Sequence, residues 1–177
     1  MRLRWFPLVL TAVLGAALLL GGWSLYNSMA VQQPLASVLK DVPGVQSAEP
    51  TVDRTTVQIR LELEKGANLR EVYQAIRSSG SDYIGGRELR LDLVQTDNEQ
   101  LDELWSSVLF DVAQAMETRH YAGIPAALEQ LTESHPGLTA VTEMDDSNVY
   151  ITLENETAAK YVILPRIPAQ LGVWSHA

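Results

Sequence analysis

The sequence predicts an α+β protein: a single N-terminal transmembrane helix followed by two helix-plus-antiparallel-hairpin units. Three observations carry this expectation. Residues 5–26 read WFPLVLTAVLGAALLLGGWSLY and contain no charge. Further on, an amphipathic helix that stops at Pro-Gly and runs into strand-like alternation occurs twice. The two occurrences align with each other with one gap.

The uncharged run comes first. No charged residue occurs between Arg4 and Lys40. About 20 apolar residues cross a bilayer core of about 30 Å as a helix. Trp5 and Trp23 lie roughly 27 Å apart at helical rise, the spacing of an interfacial aromatic pair, and Tyr26 adds to the outer belt. Arg2 and Arg4 precede the span, so the positive-inside rule leaves residues 1–26 as a cytoplasmic tip plus a signal-anchor helix, with the bulk of the chain outside. The expected location is the cell membrane, in a single pass. The alternative is a secretory signal peptide cut after Ala30, where Ser28 and Ala30 supply small residues, but the apolar core is longer than the roughly 7–15 residues usual for such peptides. Ala12/Ala16 and Ala17/Gly21 form small-xxx-small pairs through which two spans can pack.

Composition bounds the rest. The chain has 177 residues, with 13 basic and 22 acidic. Arg2 and Arg4 lie before the span, so the exposed part sets 11 bases against 22 acids, a net charge of −11. Such a surface repels nucleic acid and anionic headgroups, and nucleic acid is not an expected partner. There is no cysteine. Disulfides, iron–sulfur clusters, thiolate zinc sites and cysteine nucleophiles are thereby excluded. An exported domain held by its core alone points to a bacterial protein.

Residues 27–33 read as a polar linker. The first module, residues 34–96, is expected as α-β-β-α-β. Pro34 suits a first helical turn, and Leu35, Val38, Leu39 and Val42 recur at i, i+3, i+4, i+7 before Pro43-Gly44 stops the helix. Val45–Val52 is a weak strand, Asp53-Arg54 a turn, and Thr56–Glu64 the clearest strand, with Val57, Ile59, Leu61 and Leu63 on one face. Asn68 with Glu71 opens a helix whose inner face is Leu69, Val72, Tyr73 and Ile76, ending at Gly80. Residues 78–87 read as a Ser/Gly-rich loop and Glu88–Gln95 as a strand with Leu89, Leu91 and Leu93 inward. The second module, residues 97–164, starts at an Asp97 or Asn98 cap. A long helix to about Tyr121 carries the stripe Leu101, Leu104, Trp105, Val108, Leu109, Val112 and Met116. A helix from Pro125 has Ala127, Leu128 and Leu131 inward and stops at His135-Pro136-Gly137. Strands follow at Leu138–Met144, Val149–Glu154 and Lys160–Leu164, and residues 165–177 form an irregular tail.

The repeat pairs Leu35 with Leu128, Pro43-Gly44 with Pro136-Gly137, Asp53 with Asp146, Val57 with Val149, Ile59 with Ile151, Leu61 with Leu153 and Glu62 with Glu154. These matches fall where any helix–turn–hairpin unit needs them, so shared descent and shared local physics both explain them. The flanks differ: a helix follows the first copy and a strand the second.

On Val42-Pro43-Gly44-Val45, Val57–Leu63 and Ile76–Gly80, the first module resembles the ferredoxin-like modules of heavy-metal-associated domains. The metal-binding Cys-x-x-Cys of that family is absent, so metal carriage does not come with the resemblance. The same element order over residues 34–95 is similar to the ring-building and BON-type modules of bacterial envelope machines, a likeness of layout that by itself gives no function.

Motifs for chemistry are few. Ser37-Val38-Leu39-Lys40 matches the Ser-x-x-Lys of penicillin-binding enzymes, but the domain is short for that fold and lacks Lys-Thr-Gly. His120, His135 and His176 have no ligand spacing. Glu143, Asp145 and Asp146 lack the glycine and terminal glutamate of a calcium loop and read as a solvated turn. No catalytic, cofactor or metal residue is expected. Phe110 lies opposite the long helix's apolar stripe, among Glu103, Ser106, Gln114 and Glu117, with Tyr121 following on that face, and both are candidate partner-binding residues. The alternative is that the helix after Pro125 covers Phe110. The expected function is a non-enzymatic, membrane-anchored extracytoplasmic interaction or assembly module of the bacterial envelope. The alternatives are an accessory or sensor subunit binding a small ligand or a partner membrane protein, and an enzyme without a recognisable motif.

Overall fold

Alternation in the sequence becomes a one-sided sheet. In the computed structural model, which describes Gly15, residues 31–95 and residues 98–166, helix α1 (Gln33–Lys40) leads into strands β1 (Val45–Val52) and β2 (Thr56–Leu63). Val57, Ile59, Leu61 and Leu63 of β2 are buried, while Gln58 and Arg60 face water. Helix α2 (Leu69–Ser79) starts at Asn68, whose side chain accepts from the Glu71 N–H at 3.0 Å. It buries Leu69, Val72 and Ile76. Strand β3 (Glu88–Leu93) follows a short helix α3 (Ser81–Ile84), which forms within the expected 78–87 loop. The expected span with Trp5, Trp23 and Tyr26 lies outside the described residues, as does most of the 165–177 tail. Among the described residues no helix is long and apolar enough to cross a membrane.

One boundary and one strand direction differ from expectation. Gln33 is already helical, and Gln32 before it has helical backbone angles, so the chain enters α1 without the expected linker at 31–33. Val31 packs on the first core, which gives that turn a reason to form. The first sheet is mixed rather than purely antiparallel. Its order is β1-β2-β3, with β1 and β2 antiparallel but β2 and β3 parallel. The α2 crossover returns the chain to the starting end of β2, so β3 has to run the same way.

The second unit is built from helix α4 (Glu99–Glu117), helix α5 (Gly123–Ser134) and strands β4 (Thr139–Met144), β5 (Asn148–Glu154) and β6 (Ala159–Pro165). Asn98 caps α4 by accepting from the Leu101 N–H at 3.0 Å. The helix ends at Glu117, short of Tyr121, and Arg119 turns the chain with a positive φ of 57°. Gly123, expected after a helix, instead opens the next one. The sheet is fully antiparallel in the order β4-β5-β6.

The repeat is visible bond by bond. Gly44 and Gly137 take positive φ values of 86° and 89°, the left-handed geometry that the Pro-Gly turn requires. The turns close identically, Val45 N–H to Val42 O and Leu138 N–H to His135 O. The hairpin turns close through Asp53 N–H to Thr56 O and Asp145 N–H to Asn148 O. Asp53 therefore corresponds to Asp145, not to Asp146 as the sequence alignment pairs it. The one-residue gap moves into β1, where the register slips between Val45 and Ser47 and leaves Gln46 as a bulge.

The two units are stacked. Val149, Ile151 and Leu153 of β5 join Leu101, Leu104, Val108, Val112 and Leu128 in one core. Tyr150 of the same strand, with Tyr161 of β6, joins the core of the first unit. The second sheet is therefore apolar on both faces: α4 and α5 cover one, and α2 rests on the other, with the Tyr73 and Tyr150 rings 5.5 Å apart.

Candidate interaction surface

The long helix α4 carries two apolar faces. Leu101, Leu104, Val108, Val112 and Ala115 are buried. Leu109, expected in that stripe, is instead 41% exposed, and Ala115 takes up the buried side. Phe110 is 83% exposed. Helix α5 packs on α4 but leaves Phe110 uncovered, so the covering alternative weighed from sequence does not hold. Ser106, Leu109, Phe110 and Ala113 recur at i, i+3, i+4 and i+7, and all are exposed. They form a second seam that turns outward.

Beside the seam runs an open groove of about 390 Å³. Trp105, Leu109, Val112 and Met116 of α4 and Leu164 and Pro165 of β6 line it, together with the charged Glu117, Arg119 and Arg166. The flanks of α4 are acidic: Glu99, Glu103, Asp111 and Glu117 are all exposed. Asp102 is held by Lys160 at 2.6 Å. An exposed phenylalanine and leucine beside an apolar groove, ringed by charge, have the anatomy of a binding patch.

Tyr121 does not share this face. Because α4 ends at Glu117, helical spacing no longer carries Tyr121 beside Phe110. Its ring is half-buried against the second core, with the Arg166 guanidinium 4.8 Å above its centre. It serves packing.

A second constellation lies at the junction of the units and was not legible in sequence. Asp145, read as part of a solvated turn, is a hub. Its Oδ1 accepts from the Ser147 and Asn148 N–H groups at 2.8 Å each. Its Oδ2 accepts from the Tyr150 hydroxyl at 2.7 Å and from Gln74 of α2 at 3.3 Å. Arg166 donates to its backbone carbonyl at 2.7 Å. Burial pushes the carboxyl up, but the hydrogen bonds from Tyr150, Ser147, Asn148 and Gln74 outweigh it and bring it down to about 2. Burial first, then the bond to Asp145, pushes the Tyr150 phenol up. An acid that weakly basic and a phenol that weakly acidic are poor proton carriers near neutral pH. Together with the Arg70–Glu143 ion pair at 3.5 Å, they tie the β4–β5 turn to α2 and fix how the units stack. The signal that was present, Asp145 four residues before Val149 as Asp53 is before Val57, was obscured by the misplaced alignment gap.

Compared with known proteins, the chain matches no family model and no curated protein.

Proposed function

We propose that this chain is a non-enzymatic, membrane-anchored extracytoplasmic module that acts through protein contacts in the bacterial cell envelope. The observation that carries the reading is the outward seam of α4: Phe110 at 83% and Leu109 at 41% exposure on a domain whose own cores are already filled. The uncharged run at residues 5–26 supports the tether, with Trp5, Trp23 and Tyr26 as its interfacial residues. The α-β-β-α-β order of the first unit supports the likeness to ring-building modules at the level of layout.

Phe110→Ala tests this directly. An anchor at the centre of an interface is worth about 2 kcal/mol or more, roughly 30-fold in affinity. The variant should lose association in cross-linking of the full-length protein in its native membrane, while its melting temperature stays within about 1 °C because the ring is 83% exposed among the described residues. Unchanged association, or a loss of stability of the size seen for a core residue, would sink the reading.

A further inference from the structure

Among the described residues, each sheet edge except β4 is guarded against an added strand. Edge strand β1 carries Pro50 and the bulge at Gln46. Strand β3 alternates exposed Glu88, Arg90 and Asp92. Strand β6 ends in Pro165, and the Gln95 side chain donates to its Tyr161 carbonyl at 2.9 Å. Proline, charge, bulges and covering groups are what keep an edge from pairing. Strand β4 reads TAVTEM, with one charge, Glu143, and an unbroken register against β5. We infer that this open edge takes an extended, basic segment of a partner protein as an added strand. The site is separate from the outward face of α4.

The backbone supplies the attachment. Asp145 N–H to Asn148 O closes the hairpin. Alternation along the ladder then makes Glu143/Tyr150, Val141/Thr152 and Thr139/Glu154 the hydrogen-bonded pairs. Ala140, Thr142 and Met144 therefore turn their N–H and C=O groups away from β5, and no partner for them occurs among the described residues. Val141 at 54% and Met144 at 43% exposure offer apolar contact on the two faces beside that row.

Charge names the occupant. A crevice of about 160 Å³ runs along the Val141 side of β4, lined by Ala67, Leu69, Val141 and Tyr150 together with the carboxylates of Glu143 and Glu154. No basic side chain lines it. Glu143 meets Arg70 at 3.5 Å and Glu154 accepts the Gly66 N–H at 3.3 Å, so both keep free acceptor positions. Apolar walls with carboxylates among them suit the stem and head of a lysine or arginine on an added strand. A second copy would bring its own Glu143 and the exposed Asp146 to this edge, on a chain already at −9. The complementary occupant is a basic segment from another protein.

The test uses the full-length protein in detergent and a labelled synthetic peptide of alternating valine and lysine. Anisotropy should show binding, and the peptide should slow amide exchange at Ala140, Thr142 and Met144. The same peptide with glutamate for lysine, or with its backbone N-methylated, should bind several-fold more weakly. Thr142→Pro removes an outward N–H without touching the β4–β5 ladder and should weaken binding too. The N-methylated peptide makes the same point without altering the fold. Phe110→Ala should leave peptide binding unchanged, so this site and the α4 face fail separately. No binding up to about 1 mM overturns the proposal. So does equal binding of the lysine and glutamate peptides, or protection that falls elsewhere than on β4.

Discussion

Asp145 illustrates how far a single side chain can be read. The caps Asn68 and Asn98 are legible because a cap needs only its own next few residues, and both accept the expected N–H. Asp145 takes its meaning from Tyr150 across a hairpin and Gln74 from another unit, partners that a linear reading does not bring together. Its carboxyl is held at about 2 against an ordinary 3.8, so it stabilises the fold fully above about pH 4. That contribution is lost as the pH falls from about 4 through about 2. Asp145→Asn should therefore lower the melting temperature at pH 7, and the gap to the parent chain should close between pH 4 and pH 2. A gap that stays constant across that window would mean that the carboxylate is not the stabilising species.

Elements were legible where one face is buried and one is wet. Strand β2 alternates as expected because only one of its faces meets a core. Strand β5 is buried almost throughout, since each of its faces serves a different core, and its sequence accordingly shows a weaker period. The parallel direction of β3 was hidden because residue pattern does not encode strand direction; the crossover does. The outward seam of α4 was half-hidden because Leu109 fits the buried stripe by spacing as well as it fits the seam. The bulge gives this level its own prediction. Strand β4 does without the extra residue that β1 carries at Gln46. Deleting Gln46 should keep Val45 inward, preserve the fold and cost no more than about 1 kcal/mol in urea unfolding. Deleting Ala48 instead should turn the residues on one side of the cut to the opposite face and unfold the domain.

Taken whole, the molecule is two copies of one helix-and-hairpin unit stacked so that the second sheet lies between α2 on one side and α4 with α5 on the other. Stacking buries most of the apolar side chains of both sheets, Val141 and Met144 of β4 excepted, and among the described residues Phe110 of α4 is the most exposed large apolar side chain. A chain that fills its cores and then exposes a phenylalanine at 83% gains nothing from that residue as a monomer. The most direct measurement is a photo-reactive phenylalanine analogue placed at position 110 of the full-length protein in its native membrane, with exposed Gln130 on α5 as the control position. A discrete protein adduct from position 110 and none from position 130 is the expected result. Irradiation that leaves position 110 without an adduct, or that labels both positions alike, would contradict the reading of this face as a binding surface.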